Sequence, residues 1–169
     1  MFLCFYVSSL SLILSFDPPF RPSHRFPSFS SFSSFSSFSS LPVFARYAAQ
    51  RQAFGKPLNA FGQTQKQIAE SYAEYMAGKT YVYNTSNNLD LNSAGNVLDS
   101  DGVKLYAARM AKDVADRAIQ VLGGNGYVAE YRVEQMWRDA KLLEIGGGTN
   151  EAHHKNMVNW FKKTGPVLP

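Results

Sequence analysis

From residue 45 onward, apolar positions recur at steps of three and four, the spacing that lines side chains along one face of an α-helix. Arg46 to Gln52 reads as the last turns of a helix. Phe54-Gly55-Lys56-Pro57 stops it, since glycine admits a left-handed cap and proline cannot continue the ladder. A long second helix is predicted from about Phe61 to Leu89, with Ile68, Tyr72, Tyr75, Met76 and Tyr83 sharing a face. Asn87 to Asn96 reads as a connection. A third helix follows from about Asp99 to Leu122, with Asp99 or Ser100 placed to cap it.

The third helix carries two apolar stripes. Val103, Ala107, Met110, Val114, Ala118 and Val121 form one; Leu105, Ala108, Ala115, Ile119 and Leu122 form the other. Two stripes imply burial on more than one side, so this helix is expected at the centre. Gly123-Gly124-Asn125-Gly126 ends it, and a short helix is predicted over Val133 to Leu143. After Gly146-Gly147-Gly148, a last helix capped by Thr149 or Asn150 runs to about Lys162. No alternating strand pattern occurs, so the expected fold is all-α, an antiparallel bundle.

Before residue 44 the pattern changes. Met1 to Phe16 is apolar and dotted with serine, Asp17 to Pro27 is rich in proline, and Phe29, Phe32, Phe35 and Phe38 punctuate a Phe-Ser-Ser repeat. A period of three fits neither a long amphipathic helix nor a strand, so residues 1–43 are expected to be disordered. They make a poor targeting signal: no positive charge precedes the apolar run, and only Arg21 and Arg25 follow. The organisation expected is therefore a low-complexity segment over 1–43, one helical domain over 44–164 and a short tail over 165–169.

Composition narrows the chemistry. The chain is 45% hydrophobic and 18% charged, with a net charge of +4 from scattered Lys and Arg. Nucleic-acid binding is not expected, because that needs basic residues gathered on one face. No stretch is long enough to span a membrane as a helix. The single Cys4 excludes an internal disulfide framework and a cysteine-based zinc site. Glu151-Ala152-His153-His154 contains Glu-x-x-His, but a di-iron bundle needs a second copy of that spacing and further carboxylates. Surface histidines are the expectation there, and no metal is expected. Glu70 and Glu74 are read as solvated acids on one helix face, and Trp137 and Trp160 as packing or interface residues.

Four motifs stand in one order: Arg51-Gln52-Ala53-Phe54-Gly55-Lys56-Pro57, Ala118-Ile119-Gln120-Val121-Leu122-Gly123-Gly124-Asn125-Gly126-Tyr127, Val133-Glu134-Gln135-Met136-Trp137-Arg138-Asp139-Ala140-Lys141, and Glu144-Ile145-Gly146-Gly147-Gly148-Thr149-Asn150-Glu151. Together, over about 120 residues, they resemble the C-terminal helical domain of the acyl-CoA dehydrogenases. The Glu-Ile-Gly-x-Gly-Thr form is most similar to the isovaleryl-CoA dehydrogenase branch.

The resemblance implies an FAD flavoprotein that oxidises acyl-CoA thioesters to enoyl-CoA, in fatty acid or branched-chain amino acid catabolism. It implies cofactor contacts from Arg51, from Gln120, Val121, Leu122, Gly123 and Gly124, and from Thr149, Asn150 and Glu151. Gly147 and Gly148 would lie near the thioester, with an amide at Gly147 polarising its carbonyl. In this family FAD lies between subunits, which implies a homo-oligomer or association with full-length homologues. A guanidinium fork at Arg51 suits two phosphate oxygens. Glycine lets backbone approach a cofactor closely.

The resemblance also implies what the given sequence does not supply. The family's proton-abstracting carboxylate aligns with Gly147 in one branch, and lies upstream of the position matching Arg51 in the isovaleryl branch. Glycine cannot serve as a base, and no Glu precedes Glu70. Nothing corresponds to the family's N-terminal helical and β domains, and the first bundle helix is expected only as a stub near Arg46. No catalytic residue is therefore assigned, and the expectation is a piece of such an enzyme, inactive alone. A non-catalytic helical interaction module is the alternative. Where the family commonly carries Gln eleven residues after the arginine, this chain has Gly62, with Gln63 or Gln65 as substitutes. The implied compartment, for a eukaryotic parent, is the mitochondrial matrix.

Overall fold

The computed structural model describes residues 40–88 and 96–165. Of residues 1–43, expected to be disordered, 1–39 lie outside the described residues, as does the centre of the connection after the second helix, whereas 40–43 are helical. The first helix, α1, spans Ser40–Gln50. It starts upstream of the expected boundary at residue 44 and is more than a stub. Its buried residues Ser40, Phe44 and Ala48 fall at four-residue steps on one face, which supplies the periodicity a helix needs.

Two-residue strands β1, Gln52–Ala53, and β2, Lys56–Pro57, pair antiparallel. The tight turn between them places both Phe54 (φ 51°) and Gly55 (φ 78°) in the left-handed region, the requirement of a two-residue hairpin turn. This hairpin was not legible as alternation because it is only two residues deep. A 3₁₀ turn over Leu58–Ala60 leads into α2, Gly62–Asn87. Then come α3, Asn96–Leu122, the single turn α4, Gly124–Tyr127, α5, Val133–Ile145, and α6, Asn150–Thr164. No helix among the described residues is long and apolar enough to cross a membrane.

Helix α3 is the spine, with α1, α2, α5 and α6 all packed on it. Both stripes contribute to its buried side, Val103, Ala107, Met110, Val114 and Ala118 from one and Ala108, Ala115 and Leu122 from the other, joined by Ala111. The larger core cluster joins Phe44 of α1 to Met110, Val114, Ala118 and Leu122 of α3 and Val133 of α5. Phe44 is fully buried, worth roughly 1.5–3 kcal/mol relative to exposure.

Three expectations are corrected. The packed face of α2 is Ser71, Gly78 and Val82, while Tyr72, Met76 and Tyr83 are exposed. Small residues let α2 approach α3 closely: a Cβ at Gly78 would stand 2.6 Å from Met110 Cε and 3.2 Å from the Tyr106 ring. Of the expected face, Ile68 and Tyr75 are partly buried against the larger core cluster, while the closest approach to α3 follows small side-chain size, which a hydrophobic pattern does not register. Second, α3 begins at Asn96, so Asp99 and Ser100 lie inside its first turns; the Ser100 hydroxyl donates back to the Val97 carbonyl at 3.2 Å. Third, Glu74 is no solvated acid. Arg117 donates to both of its carboxylate oxygens, at 2.7 and 2.8 Å, and to the buried Ser71 hydroxyl at 3.3 Å.

Candidate functional site

Arg51 follows the last turn of α1, its N–H donating to the Tyr47 carbonyl at 2.8 Å. The side chain is exposed and enters no hydrogen bond or ion pair among the described residues. An unpaired guanidinium beside a rigid hairpin is available to an external anion. The tip of the hairpin that follows carries the exposed Phe54, 97% accessible.

The glycine turn that closes α3 is tied to this end of the molecule. Asn125 donates to the Tyr47 hydroxyl at 2.8 Å, and the Tyr131 ring meets Tyr47 edge-on at 5.7 Å. Arg51 and the Gln120–Gly124 segment therefore belong to one end of the bundle. Gln120, Gly123 and Gly124 are exposed, whereas Leu122 is buried in the core and could reach a ligand only through its backbone. Val121 is partly buried against the same cluster. Two nearby glycines differ in kind. A Cβ at Gly126 would fall 2.6 Å from the Ile119 carbonyl oxygen, so the fold itself demands glycine there. At Gly124 nothing among the described residues lies within 4 Å of such a Cβ. That leaves Gly124 open to a group from outside. Tyr127, 82% exposed, follows this turn.

The third cluster is elsewhere. Thr149 caps α6, its hydroxyl accepting from the Ala152 N–H at 3.3 Å; of the two capping candidates, Thr149 holds the position and Asn150 is the first helical residue. The Glu151 carboxyl is held below the ordinary carboxylate range, first by its own backbone N–H and then by the Thr149 hydroxyl. Among the described residues, the N–H groups of Gly147, Gly148 and Thr149 have no backbone acceptor. Such amides at a helix N-terminus favour anionic or carbonyl oxygen.

This turn rests on Lys104, near the beginning of α3, whereas Gly123 follows the end of α3. Eighteen residues separate Lys104 from Leu122, about 27 Å of helix at 1.5 Å per residue. The structure thus joins Arg51 with Gln120–Gly124 and places Gly147–Glu151 toward the other end of the spine.

Two side chains beneath the turn escaped the sequence reading. His153 is buried, with Nδ1 2.6 Å from Asp101 Oδ1, which corrects its assignment as a surface histidine; His154 is exposed. Lys104 is buried too, and burial holds its ammonium below the ordinary lysine range, opposed by the charges of Glu144, Glu151 and Asp101. Asp101, Lys104 and Ala108 lie at steps of three and four on a buried face, and that spacing was the available signal. Among the described residues, no group of three or more His, Cys, Asp or Glu is placed to hold a metal ion.

The family profile described as "Acyl-CoA dehydrogenase, C-terminal domain" matches residues 36–161. The chain belongs to the acyl-CoA dehydrogenase family. Among curated proteins it is 42% identical over 111 residues to a mitochondrial isovaleryl-CoA dehydrogenase of Oryza sativa subsp. japonica, covering 66% of this chain and 27% of that protein. The Bos taurus mitochondrial isovaleryl-CoA dehydrogenase is likewise 42% identical, over 105 residues, covering 62% of this chain and 24% of the relative. Among solved structures, butyryl-CoA dehydrogenase from Megasphaera elsdenii superposes with a TM-score of 0.68 at 31% identity, covering 73% of this chain and 32% of the other. Acyl-CoA dehydrogenase from Geobacillus kaustophilus gives 0.69 at 30% identity, with coverage of 73% and 32%. The chain spans about a quarter of the length of the curated relatives it matches. The profile match begins before residue 44, consistent with the helix that starts at Ser40.

Proposed function

We propose that this chain supplies two separate parts of an FAD site to an assembly of the acyl-CoA dehydrogenase type. Arg51 with Gln120 to Gly124 holds the diphosphate end of a neighbouring subunit's cofactor. Gly147 to Glu151 faces the flavin and thioester of its own. The observation that carries this reading is the separation of the two clusters along α3 (about 27 Å at helical rise), with, among the described residues, an unpaired guanidinium at one end and amides without a backbone acceptor at the other. A site divided in this way is completed by a second subunit. The open space at Gly124 and the exposed Arg51 fit a diphosphate; the amides of the Gly147–Thr149 turn fit a carbonyl or an anionic oxygen.

Bound FAD would supply the acceptor for hydride from an acyl-CoA thioester. The chain's own contribution is to orient and polarise: amides of the turn and the α6 dipole stabilise negative charge developing on the thioester oxygen. Gly147 bears no side chain and so cannot itself accept the proton. The named relatives, mitochondrial isovaleryl-CoA dehydrogenases, favour a short branched acyl-CoA as the substrate class and the mitochondrion as the compartment; branched-chain amino acid breakdown in the matrix is the context that the family resemblance implies.

A second reading has one observation behind it. Tyr72, Met76 and Tyr83 form an exposed apolar stripe on α2, a surface suited to association with another helical subunit. On this reading the chain is a non-catalytic module that assembles with full-length homologues. Titrating the purified full chain with FAD, and repeating with Arg51→Ala, separates the two. The flavin reading expects saturable quenching of flavin fluorescence that weakens about tenfold or more in the variant, the loss of a charge-assisted phosphate contact. Association with a homologue and no flavin binding would leave the module.

A further inference from the structure

Three ionisable side chains, Asp101, Lys104 and His153, are each less than a tenth exposed beneath the glycine turn, and none belongs to the cofactor-contacting positions. Burying charge is costly unless it is paired and hydrogen-bonded. Asp101 even leaves Oδ2 buried with no hydrogen-bond partner among the described residues. Their contacts converge on one segment. Lys104 Nζ donates to the Gly148 carbonyl at 2.7 Å and to Asn150 Oδ1 at 3.0 Å, and reaches the Glu144 carbonyl at 3.5 Å. One ammonium thereby links the end of α5, the turn, and the start of α6. His153, anchored to Asp101, closes the turn from the other side: a Cβ at Gly148 would stand 2.8 Å from His153 Nε2, at a φ of +100°.

The peptide plane gives this arrangement a consequence. In a trans peptide the C=O of one residue and the N–H of the next point in opposite directions. With the Gly148 carbonyl drawn inward to Lys104, the Thr149 N–H must point away from the lysine, and it finds no backbone acceptor among the described residues. We propose that Lys104, backed by the Asp101–His153 pair, is the positioning residue of the turn: by fixing the Gly148 carbonyl inward it aims the Thr149 amide outward at the bound ligand. This rests on the reading of the turn as the face presented to flavin and thioester. Methionine at 104 would keep the packing of the stem and release the carbonyl.

The test uses the full chain as wild type, Lys104→Met, Lys104→Arg and His153→Gln, with two readouts. Hydrogen exchange followed by mass spectrometry reports on peptides covering 144–152 and, as control, 105–122. FAD titration reports on the ligand-facing side. In Lys104→Met, exchange across the turn is expected to rise about tenfold with the control peptides unchanged, and FAD affinity to fall about tenfold. Lys104→Arg, which retains a donor for the Gly148 carbonyl, should recover most of both. His153→Gln should lie between. Unchanged exchange across the turn, or wild-type FAD affinity in Lys104→Met, overturns the proposal. Should the wild type bind no FAD, the flavin reading falls and the exchange data alone decide whether Lys104 sets the turn. If Lys104→Met does not fold, Lys104→Arg and His153→Gln decide: wild-type exchange and affinity in His153→Gln, or no difference between them, count against it.

Discussion

Asn125 donates a 2.8 Å hydrogen bond to the Tyr47 hydroxyl across 78 residues of sequence, fastening the end of α1 to the turn that closes α3. That bond holds Arg51, one turn beyond Tyr47, at the same end as Gly123 and Gly124. Tyr47→Phe removes the acceptor and leaves the ring, so it should cost about 0.5–1.5 kcal/mol in urea unfolding. Asn125→Ala should cost at least as much, and the double variant should fall short of the sum of the single losses. Additive losses would show that the two side chains act independently.

The two glycines of the same turn should respond in opposite ways. Gly126→Ala forces a Cβ onto the Ile119 carbonyl and should destabilise the fold by roughly 1–3 kcal/mol. Gly124→Ala meets open space, so its melting temperature should stay near wild type while FAD affinity falls. A Gly124→Ala protein that binds flavin normally would remove this turn from the site.

The Arg117–Glu74 pair joins α3 to α2 in a two-pronged contact, half-screened from solvent and braced by Ser71. Glu74→Gln should cost about 1 kcal/mol. Glu70→Gln, whose partner Lys66 stands 3.7 Å away on the exposed face, should cost under about 0.5 kcal/mol. Restoration of stability in the exchanged pair Glu74→Arg/Arg117→Glu, checked by thermal unfolding, would assign the effect to charge pairing.

Acid should act through Glu151. Its folded pKa lies below the ordinary value of 4.5, because its own N–H and the Thr149 hydroxyl donate to the ionised form. A depressed carboxylate pKa adds stability above the unfolded value and loses it as pH falls through the folded one. Thermal melts of wild type and Glu151→Gln should therefore differ by a constant amount above that ordinary value and converge below it. A difference that grows with acid would reverse the sign and contradict the cap geometry.

The spine was legible in the sequence because α3 spells its burial in apolar residues: Val103, Met110, Val114 and Leu122 fall where a helix buried on two sides needs them. The segments proposed to face the cofactor are marked in the sequence by their glycines, which stand in turns at both ends of that spine. Helix α2 was legible in part: Ile68 and Tyr75 pack on the core as expected, but the closest contact with α3 is made through Ser71 and Gly78, and side-chain size is silent in a hydrophobic pattern. Lys104 and His153 were missed for a related reason. Charged residues read as surface by default, and what buries these two is the set of carbonyls and the Asp101 carboxylate brought to them from 40 to 52 residues away.

Sedimentation velocity of the full chain with FAD, followed at the flavin absorbance, tests the division of the site most directly. Flavin should move only with species of two or more chains, since Arg51 and the Thr149 turn of a single chain face different ends of α3. Flavin carried by a single-chain species, or by none at any chain concentration, would contradict the account.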